Sequence, residues 1–278
     1  MFKMRKYQRR RLDPLESLPM FDTHAHLDDE RFAADLDEVI RRAEEANLTG
    51  IVCPGVDAAS SAKCVEIAAR YPLVYAAVGI QPNCAAGASC GDWDRIVELA
   101  GRARVVALGE TGLDRHWDYT PFDVQQDYFD RHLRLGQERG LPVIVHCREA
   151  EADVLAMLGE AARRGPLRGV IHAFSGDGQF AESCLDLGMY ISLAGAVTYR
   201  NKKFAALHEA ARVVAADRLL IETDSPYLVP HPLRGKQPRN EPALITHTVD
   251  RLAELRGMGR AELIARTAAN ARSLFGVS

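Results

Sequence analysis

Eight short apolar runs, each followed by a longer amphipathic stretch, leave this chain few ways to fold. The runs fall at 20–24, 50–54, 74–79, 105–109, 142–146, 169–173, 190–193 and 219–223. They are rich in Val, Ile, Leu and Ala and nearly continuous rather than alternating, as parallel strands covered on both faces are. The clearest of the intervening stretches is 121–139, where Phe122, Gln125, Phe129 and Leu133 recur near helical spacing and Gly140 supplies the stop. Two further helices are expected in 241–276, broken at Gly257 and Gly259. Eight strand–helix units with no break in composition predict a single-domain α/β protein, a (β/α)8 TIM barrel over 21–278 with extra C-terminal helices.

That fold gives meaning to the polar residues at the ends of the runs. His24 and His26 stand two apart at the end of the first, a spacing that puts both on one face of an extended strand. Glu110, His146, His172 and Asp224 end the fourth, fifth, sixth and eighth. In a barrel those ends meet at one mouth, where enzymes of this fold carry their sites. Imidazole nitrogens and carboxylate oxygens are ligands for borderline and hard divalent metals. A core in which these six residues merely bonded one another would bury polar groups at several kcal/mol for each one left unpaired. The pattern predicts a metal-dependent hydrolase.

Charge and composition narrow the rest. Residues 1–20 carry Lys3, Arg5, Lys6, Arg9, Arg10 and Arg11 against Asp13 and Glu16, a net of +4 that leaves −7 on 21–278 of a chain at −3. The basic head lacks the apolar core of a signal peptide and reads as a flexible extension, 1–20, ahead of the barrel. The acidic body argues against a strong grip on duplex DNA. No run approaches the roughly 18–20 apolar residues that a membrane span needs. The six cysteines form no C-x-x-C pair and suit reduced thiols in a cytoplasmic protein, Cys84 and Cys90 being the one plausible bonded pair.

The segments that carry these residues resemble the TatD family of metal-dependent hydrolases, also called TatD-type DNases, within the amidohydrolase-like barrels. The matching motifs are D-T-H-A-H-L (22–27), G-E-T-G-L-D (109–114), V-I-V-H-C-R-E-A (143–150), I-H-A-F-S-G (171–176), E-T-D-S-P-Y-L (222–228) and R-N-E-P (239–242). The resemblance implies two divalent ions, Mg, Mn or Zn, one held by His24, His26 and Asp224 and the other by His146 and His172, with Glu110 bridging them. One motif departs: where the family usually has Gly-Ile-His-Pro, this chain has Gly79-Ile80-Gln81-Pro82. Glutamine donates a hydrogen bond but carries no proton near neutral pH.

The expected reaction is phosphodiester hydrolysis at DNA ends or single strands by a water activated between the ions, with Glu110 and Asp224 catalytic and Asp224 a metal ligand, a base, or both. Arg148, Gln81, Arg239 and Asn240 are the expected substrate contacts. For Arg148 the alternative is an ion pair with Glu149 or Glu151, and for Asn240 a cap on the helix after Pro242. Asp22 and Asp114 are expected to hold histidine tautomers, and His116 and Trp117 to stack on a base or simply pack. His132, His208, His231 and His247 read as ordinary surface or helix residues. Two other functions share the motifs' chemistry: an amide or ester hydrolase, including one that releases aminoacyl groups from RNA, and a low-turnover binding barrel. DNA is the expected partner, with no membrane.

Overall fold

The computed structural model describes residues 18–278. The basic residues Lys3 to Arg11, and all but the end of the expected extension, lie outside the described residues. Eight strands run parallel and in chain order: β1 (Met20–Asp22), β2 (Leu48–Pro54), β3 (Val74–Val78), β4 (Val105–Asp114), β5 (Val143–Arg148), β6 (Gly169–Ile171), β7 (Tyr190–Leu193) and β8 (Leu219–Ile221). Just beyond their ends β8 and β1 meet: Thr23 N donates to Ile221 O at 3.1 Å, Asp224 N to His24 O at 2.9 Å and His26 N to Ser225 O at 2.7 Å. The sheet is thus nearly closed into a barrel.

Each strand feeds a helix on the outside: α1 (Leu36–Glu45), α2 (Ala58–Arg70), α3 (Asp92–Leu99), α4 (Phe122–Arg139), α5 (Glu151–Arg164), α6 (Gly178–Asp186), α7 (Ala205–Val213) and α8 (Ile245–Arg256). The eighth unit therefore uses α8, and among the helices of the described residues α9 (Arg260–Phe275) is the additional one. Helix α4 stops where Gly140 turns left-handed at φ 67, and α8 where Gly257 does the same at φ 58. Side chains alternate across the strands. Phe21, Val52, Ala77, Ala107, Ile144, Val170, Tyr190 and Leu220, one from each strand, cluster with Ala268, Ala271, Leu274 and Phe275 of α9. The last helix thus closes the end of the barrel opposite the mouth. The neighbouring strand residues, such as Ile51, Val143, Ile171 and Leu219, pack outward against the helices.

Several strand ends differ from the sequence reading. β1, β6 and β8 stop two residues early, while β4 runs on to Asp114. The backbone leaves the regular ladder where a side chain is turned into the mouth, so apolar content overruns the paired segment.

His132, expected as an ordinary surface or helix residue, does lie on α4, but it is fully buried against the sheet. Its Nε2 accepts from Ile80 N at 3.1 Å and its Nδ1–H donates to Tyr128 O at 2.6 Å. Burial holds its pKa at about 4, below the ordinary 6.5. Its contribution to stability is therefore complete above pH 6.5 and lost as pH falls from there to about 4, by at most about 3 kcal/mol. His132→Gln, which keeps a neutral acceptor, is expected to lose about that much less than the native chain between pH 7.5 and 4.5 in urea unfolding. An equal loss in the variant and the native chain over that pH range would show that His132 does not titrate on unfolding.

Candidate metal centre

The mouth is built from five strands. His24 and His26 follow β1 on either side of Ala25, which is tied to the β8 side by the Ala25–Ser225 bridge. Glu110 sits within β4, where the pairing with β5 shifts register between Leu108 and Thr111. The flanking glycines make that irregularity feasible. Gly109 has φ +125 and a Cβ there would lie 2.6 Å from Ile144 O; Gly112 has φ +134 and a Cβ there would lie 2.1 Å from His146 O. No other residue fits either position. His146 lies on β5, His172 directly follows β6, and Asp224 follows β8 in a left-handed conformation at φ 53.

All six expected ligand residues converge. His24 Nε2 and His26 Nε2 are 3.1 Å apart, and Asp224 Oδ1 lies 3.8 and 3.6 Å from them. His146 Nδ1 and His172 Nε2 are 3.4 Å apart. Glu110 stands between the two groups with one oxygen toward each. Its Oε2 is 3.3 and 3.5 Å from His24 and His26, and its Oε1 is 2.9 and 3.1 Å from His146 and His172. The His24 and His172 rings stack 4.0 Å apart, 8° from parallel.

This donor set fits a divalent metal. Bonds of ~2.0–2.1 Å at tetrahedral angles separate ligand atoms by ~3.3 Å, close to these spacings. Two imidazole nitrogens facing each other share at most one proton, whereas a cation satisfies both. Electrostatics point the same way. Burial opposes protonation of His26, yet the Asp224 and Glu110 carboxylates outweigh it and raise its pKa to about 9. His172 is raised against burial chiefly by Glu110, and His146 by Asp114 and Glu110. Glu110 itself, despite burial, is held well below the carboxylate range by His172, His146 and His24. His24 goes down to about 4, through burial and the neighbouring His172. The carboxylates demand positive charge at this point, which a metal supplies while leaving the histidines neutral.

A second tier of contacts holds these side chains. Asp114 Oδ2 accepts from His146 Nε2 at 3.0 Å, leaving Nδ1 to face Glu110, as expected of it. Asp22 does otherwise: its carboxylate accepts from the backbone of His24 and from the amide and hydroxyl of Thr223, pinning β1 to β8 rather than an imidazole. Burial raises its pKa to about 8. On the His172 ring the neighbouring carboxylate is Glu222, Oε1 lying 3.5 Å from Nδ1 while accepting from Ala173 N at 2.7 Å. Sequence reasoning missed Glu222, although it stands two residues before Asp224 in the same motif. It also missed Asn83, whose Nδ2 donates to Asp114 at 2.9 Å, and the role of Gln125, which brackets the Asp114 backbone.

The expected substrate contacts divide. Arg148 is exposed, and among the described residues no carboxylate pairs with it; its guanidinium lies 5.6 Å from the Trp117 ring centre. Gln81 is half-buried and its Oε1 accepts from Asn83 N at 2.8 Å, capping the turn that presents Asn83. Arg239 is engaged with Asp35 at 2.5 Å and Glu241 at 3.0 Å, and donates to Arg31 O. Asn240 is buried and does not cap the following turn; its Nδ2 donates to Thr223 O at 2.9 Å and its Oδ1 accepts from Glu241 N at 3.0 Å. Both hold the loop after β8. His208, His231 and His247 stand outside the cluster. Cys84 and Cys90 are free thiols. No helix of the described residues is long and apolar enough to cross a membrane.

A buried histidine–carboxylate cluster at the C-terminal mouth of a parallel eight-stranded barrel defines a metal-dependent hydrolase of the amidohydrolase-like fold. A sequence profile for TatD related DNase matches residues 21–276. The uncharacterized metal-dependent hydrolase YabD of Bacillus subtilis is 39% identical over 259 residues, spanning 93% of this chain and 100% of that one. The 3'-5' ssDNA/RNA exonuclease TatD of Citrobacter rodentium is 36% identical over 261 residues, spanning 93% and 98%. Among solved structures, the TatD homologue YJJV of Escherichia coli K12 matches with a TM-score of 0.86 at 30% identity, over 93% of this chain and 98% of that one. The chain belongs to the TatD family of metal-dependent hydrolases.

Proposed function

We propose that this protein is a two-metal phosphodiesterase that removes nucleotides from the ends of single-stranded DNA or RNA. The observation that carries the reading is Glu110, whose two oxygens each face a separate histidine pair. His24, His26 and Asp224 would hold one ion and His146 and His172 the other, with Glu110 shared. Bound divalent ions supply Lewis acidity and make water a nucleophile near neutral pH. Asp224 accepts the proton of the attacking water, being one of the less buried carboxylates of the cluster, with 13% of its side chain exposed against 4% for Glu110. Arg148, free of a carboxylate partner among the described residues, meets a non-bridging phosphate oxygen. Gln81 has its oxygen engaged and offers only its amide NH2 to the substrate.

Chain ends are favoured because a barrel mouth admits a terminus better than a duplex interior, and because the body bearing the site is acidic. The TatD relatives named as single-strand exonucleases support both the bond and the direction, from the 3' end. Six free thiols suit a reducing cytoplasm.

A substrate panel tests this reading: single-stranded DNA and RNA labelled at either end, duplex DNA, aminoacyl-RNA and simple carboxyl esters, with Mg²⁺, Mn²⁺ or Zn²⁺ restored after chelation. We expect no turnover without metal, and single strands shortened from the 3' end in preference to duplex. Faster hydrolysis of aminoacyl-RNA or carboxyl esters than of any phosphodiester would replace the reading with the carbonyl-directed one.

A further inference from the structure

Of the four large apolar side chains exposed among the described residues, three are aromatic, and all three stand on loops leaving the metal centre. Trp117 and Tyr119 follow β4, and Tyr227 follows β8. Each of the two loops pairs an aromatic face with an arginine. Trp117 and Tyr119 stack on each other, centroids 5.4 Å apart and planes 12° from parallel, with the Arg148 guanidinium 5.6 Å from the Trp117 ring centre. The Arg31 guanidinium lies 4.4 Å from the Tyr227 ring centre, and that ring meets His26 edge-on with centroids 5.8 Å apart.

Both platforms are indexed to the cluster. Asp114 accepts from Trp117 N at 3.0 Å through the oxygen that His146 does not use, so one carboxylate sets a ligand and an aromatic together. On the other side Tyr227 N donates to Asp224 O at 2.8 Å. Arg239 anchors the Arg31 turn through its carbonyl. One platform therefore belongs to the His146 group and the other to the His26 group.

We infer that these two platforms are nucleobase sites flanking the scissile phosphate, one base stacking on Tyr227 and the other on Trp117, with Tyr119 extending the second platform. The inference rests on the single-strand phosphodiesterase reading and deepens it. Stacking grips any base, because every base has a π face, and so gives affinity without sequence preference. Such a grip suits a body whose net charge of −7 over 21–278 offers little general attraction for a phosphate backbone. The arginines differ in duty. Arg31 is tied to Asp29 by two hydrogen bonds of 2.9 and 2.8 Å and fixes its ring, while Arg148 is available to a phosphate. Bases paired in a duplex hide both faces, so the same platforms select for single strands.

The test uses the metal-loaded enzyme and single-stranded oligonucleotides carrying one abasic nucleotide, placed on either side of the scissile phosphate. With the native chain, each abasic nucleotide should lower kcat/KM by about ten-fold or more, the usual worth of one stacked base. Trp117→Ala should lose the penalty at one position and keep it at the other, Tyr227→Ala should do the reverse, and Trp117→Phe should recover the native pattern. A native enzyme indifferent to abasic nucleotides, or two variants that both keep both penalties, would overturn the base sites while leaving phosphodiester cleavage intact. Hydrolysis of carboxyl esters with no oligonucleotide cleaved would instead remove the single-strand reading, and the base sites with it.

Discussion

Glu110→Gln is expected to lose metal-dependent turnover by a factor on the order of 10³ or more, several kcal/mol of transition-state stabilisation. The carboxylate faces His24 and His26 with one oxygen and His146 and His172 with the other. An amide of the same shape keeps one oxygen but presents an NH2 to the second group, and that nitrogen repels a cation. Both halves of the site share the lost charge, so metal content should fall along with rate. Circular dichroism would show whether the barrel remains, and elemental analysis with kcat/KM would read the two effects. A variant that keeps its full metal complement and near-native rate would remove Glu110 from its bridging role.

Asp224→Asn has the second large expected effect, a loss of about 10² to 10⁴ in kcat, the usual worth of a general base. The substitution is clean for a structural reason. Asp224 occupies a left-handed conformation at φ 53, and asparagine is among the few residues that tolerate it, so the turn that carries Tyr227 should persist. Asparagine also keeps an oxygen where Asp224 Oδ1 faces His24 and His26. Full metal occupancy with lost turnover assigns Asp224 to proton transfer; lost occupancy makes it a ligand first. Normal turnover with normal occupancy would exclude it from the reaction.

The barrel was legible because eight apolar runs and their helical partners left only one economical packing. The six cluster residues were legible because barrel geometry brings strand ends together, whatever their distance in sequence. Side-chain direction was harder to read. Asp22 and Asp114 look alike in sequence, each preceding or following a ligand strand end, yet one accepts from backbone and the other from an imidazole. Only the local turn decides which way a short carboxylate points. Glu222 and the burial of His132 were missed despite available signals. Glu222 lies two residues before Asp224 in the same motif, and His132 falls on the α4 stripe shared by Phe129, Leu133 and Gly136. Arg239 and Asn240 sit in the right loop, but an arginine near acidic neighbours and a buried amide both satisfy local partners first.

Crystals grown with Mn²⁺ and measured for anomalous scattering, alongside elemental analysis of the same preparation, test the metal centre most directly. Two peaks about 3.5–4 Å apart are expected, one bounded by His24, His26 and Asp224 and the other by His146 and His172, with the Glu110 carboxylate between them. A single peak, or two peaks with Glu110 turned away from both, would contradict the two-metal reading.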